Sequence, residues 1–115
     1  MVVEELTDVE VNRIFRALAD ATRRDIVRRS LVYTLSVSQL AGAYDMSFAA
    51  VQKHVAVLEE AELVTKEQRG RERLVRGDLE RIRRAQHYLD HFEQIWRSRT
   101  DRLDALLAND QTTPH

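Results

Sequence analysis

The chain has 115 residues, of which 43% are hydrophobic and 32% charged, and this composition allows one domain with a modest core. It contains no cysteine, which excludes disulfides and thiolate metal sites and fits a cytoplasmic location. No apolar run approaches the ~20 residues of a membrane-spanning helix, and the acidic N-terminus lacks the pattern of a signal peptide. We therefore expect a single-domain cytoplasmic protein that does not bind a membrane.

The formal net charge is −1, but the charges are unevenly distributed along the chain. Residues 1–12 carry four acids and no base. Residues 66–84 contain four acids and eight bases, the bases being Lys66, Arg69, Arg71, Arg73, Arg76, Arg81, Arg83 and Arg84. A chain that is nearly neutral overall can therefore present one positive face to an anionic partner.

Two helices are predicted at the start of the chain. Residues 6–18 have apolar side chains at helical spacing, which are Val11, Ile14, Phe15 and Leu18. Asp20 is a suitable N-cap for a second helix, which is predicted to cover residues 21–31. The residues that this second helix is expected to bury are Ile26, Val27 and Leu31.

A helix-turn-helix is predicted next, after a β-prone segment at residues 31–35. Ser36 and Gln39 have the spacing of a capping box and open a short helix. Ser47 can cap the following helix. The apolar side of that helix consists of Val51, Val55 and Leu58. Its opposite side carries small and polar residues, which are Ala49, Gln52, Lys53 and Ala56. Such a helix can lie in a groove and donate hydrogen bonds there.

A β-hairpin is predicted after this helix, with strands at residues 63–66 and 72–75. Gly70 can supply the positive φ that a tight turn requires. Three arginines cluster near the tip of the hairpin, namely Arg69, Arg71 and Arg73. A groove-sized helix beside a cationic hairpin suits a duplex nucleic acid, so double-stranded DNA is the expected partner.

One long helix is predicted to complete the domain. Gly77 ends the second strand, and Asp78 can cap a helix of roughly 30 residues, longer than a typical globular helix. Its apolar residues recur at helical spacing and are Leu79, Ile82, Leu89, Phe92, Trp96, Leu103, Leu106 and Leu107. A small domain cannot cover such a stripe alone, so we expect it to meet a second copy of the chain. Residues 1–108 are expected to form the domain and residues 109–115 a disordered tail.

Three histidines are candidate functional groups. His87 and His91 share a helix face and could bind zinc with Asp90 or Glu93. This pair alone is a weak signal, because a zinc site normally has three or four ligands, and we expect no metal or other cofactor. A zinc-responsive repressor that uses His87 and His91 is the alternative. His54 lies at the edge of an apolar stripe, where it is either a structural histidine or a phosphate contact.

Catalytic motifs do not occur in the sequence: there is no nucleophile elbow, phosphate loop or zinc-protease signature. We therefore expect no enzymatic activity. The alternative to DNA binding is a protein-interaction module, in which the arginines of the hairpin would only add solubility. A protein-binding domain has no need of three arginines around a glycine turn, so DNA binding is favoured.

The order of these elements resembles the ArsR/SmtB-type winged helix-turn-helix repressors. The resemblance is carried by five segments in the same order, at residues 20–27 (DATRRDIV), 36–41 (SVSQLA), 47–58 (SFAAVQKHVAVL), 61–64 (AELV) and 69–71 (RGR). Two of them depart from the family pattern, since Ala21 stands in place of proline and Glu62 in place of glycine. The resemblance covers residues 11–107, nearly the whole chain.

The resemblance implies a mostly α-helical fold with a small β-hairpin, which dimerises through its first and last helices. It implies a homodimeric repressor that binds a palindromic operator and is released by a ligand or metal. The DNA-facing positions of the family fall on Ser47, Phe48, Ala49, Gln52 and Lys53, and its wing falls on Arg69, Arg71 and Arg73. His54 belongs to the same helix and is kept as a candidate DNA contact. The dimer contacts are expected at Ile14, Phe15, Leu89, Phe92, Trp96, Leu103, Leu106 and Leu107.

The sensor region departs from the family. The family's thiolate site is a cysteine pair in the helix before the turn, and this chain has no cysteine there or elsewhere. A second known site uses histidines and carboxylates on the last helix, but the spacing of His87 and His91 does not match it. The sequence therefore resembles a member without the known metal sites, and the resemblance names no inducer.

Overall fold

The computed structural model describes residues 5–112, with side chains to Asn109. Its helices are α1 (Asp8–Ala17), α2 (Ala21–Val32), α3 (Val37–Gly42), α4 (Phe48–Glu60) and α5 (Leu79–Thr112). Its strands are β1 (Leu35–Ser36), β2 (Val64–Arg69) and β3 (Glu72–Gly77). The predicted winged helix-turn-helix fold is confirmed. In the part of the chain described, no helix is long and apolar enough to cross a bilayer.

Polar side chains define where the helices begin. Thr7 and Ser36 each form a capping box with the residue three positions on, before α1 and α3 respectively. The Asp20 carboxylate accepts from the backbone N–H of the third α2 residue at 3.0 Å, and the Ser47 hydroxyl accepts from Ala50 N at 3.1 Å. Each cap pairs a backbone N–H that would otherwise lack a partner within its helix. The predicted N-caps Asp20, Ser36 and Ser47 are confirmed.

The core lies where the first four helices meet the sheet. Its fully buried large side chains are Ile14, Ile26, Leu40, Leu58, Leu63, Val51, Val55, Val64 and Val75. The predicted apolar stripe of α4 is therefore confirmed. The prediction that Leu31 is buried is wrong, because this side chain is 42% exposed at the end of α2. It lies over Gly77, where an added Cβ would stand 2.8 Å from its side chain.

The sheet has the antiparallel order β1-β3-β2, and β2 and β3 form the predicted hairpin. Arg69 pairs with Glu72, which leaves Gly70 and Arg71 as a two-residue turn. Gly70 has φ +63°, as the turn requires. Because side chains alternate along a strand, Gln68 and its partner Arg73 share the face of Val75, whereas Arg69 lies on the other face.

The last helix, α5, has 34 residues and extends far beyond the core. Asp78 caps it as predicted, since its carboxylate accepts from Arg81 N at 3.2 Å. Residues 92–109 are all exposed in the single chain. The helix includes residues 109–112, which the sequence assigned to a tail, and no glycine or proline lies in this part of α5 to end it. Residues 113–115 of the predicted tail lie outside the described part.

The expected dimer contacts differ in how far they are exposed. Ile14 is fully buried in the core of its own chain, so it is not available to a partner, and that assignment is wrong. Phe15 is half-buried, and its ring centroid lies 6.1 Å from that of Tyr88 on α5. The remaining expected contacts are each more than half exposed and are Leu89, Phe92, Trp96, Leu103, Leu106 and Leu107. Ile95 is equally exposed and was missed.

Candidate nucleic-acid interface

The outward side of α4 is the first part of the candidate interface. Phe48 at the start of the helix is 49% exposed, Ala49 and Lys53 are exposed, and Gln52 is half-buried. Ser47 is exposed as well, but its hydroxyl oxygen already accepts from Ala50 N. Ser47 therefore fixes the start of α4 and retains its O–H as a donor.

The hairpin supplies the second part, and it stands beside α4. A groove of about 320 Å³ is lined by Phe48 and Gln52 from the helix and by Gln68, Arg71 and Arg73 from the hairpin. The structure thus brings an aromatic ring and an amide of α4 beside an amide and two guanidinium groups of the hairpin. This is the arrangement expected for a recognition helix and its wing.

Arg69 has a different position from the other two wing arginines. It lines the opposite face of the sheet together with Arg76. Its guanidinium lies 3.6 Å from the Glu67 carboxylate, and both side chains are exposed. The predicted cluster of three arginines is therefore divided between two faces, because residues 69 and 73 do not have the same orientation in the hairpin.

The turn of the wing is supported by one side chain. Gln68 Nε2 donates to the backbone oxygen of Gly70 at 2.9 Å. This bond closes the turn from within the hairpin and favours a single position for Arg71 at its tip. Gln68 was not among the predicted site residues, although its place two residues before Gly70 is a local signal for such a bond.

His54 belongs to a contact between helices. Its Nδ1 lies 3.3 Å from Arg23 Nη1 and 4.0 Å from the Asp20 carboxylate. Arg23 also donates to the backbone oxygens of Ala17 at 2.6 Å and Arg16 at 3.0 Å, which closes the end of α1. The geometry supports a structural role for His54, which joins α4 to the junction of α1 and α2.

A partly buried tyrosine hydroxyl holds the turn before α4. Tyr44 Oη donates to the Asp25 carboxylate at 2.5 Å, and Arg29 Nε donates to the same oxygen at 2.7 Å. Burial and then this bond raise the pKa of Tyr44 to about 12, and the Tyr44 bond followed by Arg29 lowers the pKa of Asp25. These contacts attach the helix-turn-helix turn to α2. No local sequence pattern indicates this pair, since its members are 19 residues apart.

A buried arginine connects α1, α4 and α5. Arg81 is 4% exposed; it contacts Glu10 at 2.6 Å and Glu62 at 3.0 Å, and donates to the backbone oxygen of Ala61 at 3.1 Å. Hydrogen bonds from Arg81 and from the Thr7 backbone lower the pKa of Glu10 to about 2. Arg81 is therefore not part of the exposed positive charge, although the sequence counted it there. Glu62, which is 67% exposed, is one of its partners.

The histidine pair on α5 does not form a complete metal site in the part of the chain that is described. The ring centroids of His87 and His91 lie 4.9 Å apart. They border a groove of about 210 Å³ that Asp8 also lines. Within residues 5–109, however, no three histidine, aspartate or glutamate side chains are grouped so as to hold a metal ion.

These elements define a class of protein. A helix-turn-helix whose second helix is exposed, followed by an antiparallel hairpin with arginines beside that helix, is a winged helix-turn-helix DNA-binding domain. The long exposed helix α5 is an addition to this domain.

Known proteins place the chain more closely. It is 37% identical over 81 residues to the HTH-type transcriptional regulator Rv2034 of Mycobacterium tuberculosis, and the aligned segment covers 70% of this chain and 76% of that protein. The ArsR family transcriptional regulator RHA00566 has a TM-score of 0.76 at 29% identity, covering 83% of this chain and 98% of its own. An ArsR-like regulator from Rhodococcus sp. RHA1 gives 0.76 at 26% identity, covering 85% and 92%. No protein-family model matches the sequence.

The chain belongs to the ArsR family of winged helix-turn-helix transcriptional regulators. It is accordingly a DNA-binding regulator of transcription. The absence of cysteine from the whole sequence means that it lacks the family's thiolate metal site.

Proposed function

We propose that this protein is a homodimeric repressor that binds a palindromic operator in the cytoplasm. The observation that carries the proposal is the shared groove, in which the exposed side of α4 and the wing arginines Arg71 and Arg73 lie together. In this arrangement α4 enters the major groove and the wing contacts the flanking backbone. The proposal assigns no catalytic activity to the chain.

On DNA, the two ends of the surface have different tasks. Gln52 and Lys53 donate to base edges, because amide and ammonium groups pair with acceptors in the major groove. Arg71 and Arg73 bind phosphate, which adds affinity on every sequence but no base preference. Arg69 contributes less to phosphate binding, since it lies on the other face of the wing close to Glu67.

The second copy is placed along α5. This helix exposes seven large apolar side chains, which are Leu89, Phe92, Ile95, Trp96, Leu103, Leu106 and Leu107. An apolar surface of this length is rare on a monomer and marks an interaction site. A two-fold partner would cover it with the same stripe, and it would present two copies of α4 to two half-sites one helical turn of DNA apart.

Selection of genomic fragments by the purified protein tests the DNA-binding scheme. We expect enrichment of fragments that contain an inverted repeat, and we expect Gln52→Ala to change base preference more than affinity for random DNA. Gln86→Ala is the matched control, because Gln86 is an exposed glutamine on α5, away from the groove. Equal losses on selected and random DNA for Gln52→Ala would contradict base reading by this residue.

Transcription in vitro from a selected fragment tests the sign of the regulation. We expect the protein to reduce the transcript, because a dimer seated over promoter DNA excludes the polymerase. A rise in the transcript with added protein would show activation and contradict the repressor assignment. If the reduction of the transcript is caused by binding to the fragment, Arg71→Ala should reduce the transcript less than wild type does at the same protein concentration.

A further inference from the structure

Phe48 differs in character from the rest of the recognition surface. The neighbouring outward residues of α4 are small or polar, whereas Phe48 exposes 49% of a large aromatic side chain. It is the first residue of α4, held in place by the Ser47 cap. The N-terminal residues of a recognition helix are the ones that contact base edges. An exposed ring at this position therefore calls for an apolar partner on the DNA.

The groove beside Phe48 shows what kind of partner it can take. Gln52, four residues further on, lies on the same side of α4, and both line the groove that Arg71 and Arg73 border. The two arginines suit phosphate, and the side chains that α4 itself contributes to the groove are one aromatic ring and one amide. The rest of the lining is Ser36, Val37, Ser38, Gln68 and Glu72. The major groove contains one apolar group, the C5-methyl of thymine, and a glutamine amide pairs in a bidentate way with adenine.

We propose that each half-site of the operator contains a thymine whose methyl group packs on Phe48 and an adenine that Gln52 binds at N6 and N7. This assignment rests on the proposed function and specifies the DNA that it recognises. The two side chains start about 6 Å apart along the helix axis. That distance equals roughly two base-pair steps of about 3.4 Å, so we expect the thymine and the adenine about two base pairs apart.

The test uses DNA from which single groups are removed. In a fragment selected by the protein, each thymine is replaced in turn by deoxyuridine, which lacks only the methyl group. We expect at least one replacement per half-site to weaken binding by wild-type protein about fourfold, the factor that corresponds to one buried methyl-sized group. Phe48→Ala should bind the unmodified fragment with a similarly reduced affinity and should not respond to that same deoxyuridine.

The adenine contact is tested in the same way with 7-deaza-adenine, which lacks the N7 acceptor. We expect one such replacement to weaken wild-type binding about tenfold and to leave Gln52→Ala unaffected. Tyr33→Ala is the control for loss of an exposed aromatic ring, because Tyr33 is exposed and lies outside this groove. It should respond to both modified bases as the wild type does.

The outcomes separate the two proposals. If the wild type binds a defined fragment and no deoxyuridine replacement weakens it, or if Phe48→Ala remains as sensitive as the wild type, the methyl contact is refuted while sequence-specific binding stands. If no fragment is enriched over random DNA, the proposed function fails and this assignment fails with it. Phe48→Leu, which keeps an apolar side chain, should retain part of the response, and thermal unfolding of each variant establishes that it is folded.

Discussion

Arg81 offers the sharpest test of how the domain holds its recognition helix. Replacement by Met keeps an unbranched apolar stem but removes every donor. The bond to the Ala61 oxygen is charge-assisted and buried, and such bonds contribute about 1.5–3 kcal/mol. Glu62 is 67% exposed and adds at most about 1 kcal/mol. The ion pair with the partly exposed Glu10 is lost as well. Taking the three contacts together, we expect Arg81→Met to lower the free energy of unfolding by about 3 kcal/mol, the low end of the cost of breaking a buried ion pair.

Chemical denaturation at one fixed protein concentration measures this loss, since the stability of a dimer depends on concentration. Arg83→Met is the matched control. Arg83 pairs with Glu80 at 2.7 Å, but both side chains are more than half exposed, so its loss should cost less than about 1 kcal/mol. Equal costs for the two variants would refute the reasoning, because Arg81 is buried with three partners whereas Arg83 is exposed and pairs with one exposed carboxylate.

The remaining predictions concern pH, DNA and assembly. The pKa of Glu10 in the folded protein is about 2, below its ordinary 4.5. The ionised Glu10 therefore contributes its full share to the free energy of unfolding above about pH 4.5, and this contribution is lost as the pH falls towards about 2. The difference in free energy of unfolding between wild type and Glu10→Gln should decrease as the pH falls through that range. A difference that does not change with pH would contradict a stabilising ion pair between Glu10 and Arg81. Arg71→Ala should weaken binding similarly on all sequences and lower the salt slope by about one; an unchanged slope would exclude a phosphate contact. The double variant Leu103→Asp, Leu107→Asp should be monomeric by light scattering, and a monomeric wild type at micromolar concentration would end the dimer proposal.

The elements that sequence predicts well are those with local patterns. Periodicity identified the buried side of α4 because Val51, Val55 and Leu58 follow one another at helical spacing. The cap at Ser36 needs only a partner three residues away, and the wing turn needs only Gly70. Each of these features depends on residues close together in sequence, so the fold could be predicted nearly complete.

The interactions that sequence could not show join distant residues. Arg81 and Glu10 are 71 positions apart, and Tyr44 and Asp25 are 19 apart. Arg81 lies within a run of basic residues, and only the packing of α1 on α5 separates it from its exposed neighbours. Helical spacing likewise placed Ile14 on an apolar side, but it cannot tell whether that side meets the same chain or a second one.

The division of the wing arginines has the same cause. The sequence places Arg69, Arg71 and Arg73 at alternate positions, which in an unbroken strand would give them one orientation. The turn at Gly70 lies between the first and last of them, and the pairing of Arg69 with Glu72 reverses the chain there. The sides on which these residues lie therefore depend on the pairing register, and a one-residue shift would exchange the faces of one strand.

Three of the contacts that the structure adds act on α4. Tyr44 holds the turn before it, His54 joins its middle to Arg23, and Arg81 binds the oxygen of Ala61 at its end. Three contacts thus fix the recognition helix along its length; the first two are made with α2 and the third with α5. If α5 also forms the contact with a second copy, this one helix has two roles. It sets the distance between the two copies of α4, and through Arg81 it holds the end of each of them. A rigid attachment of this kind keeps two copies of α4 at one spacing, which recognition of a palindrome requires.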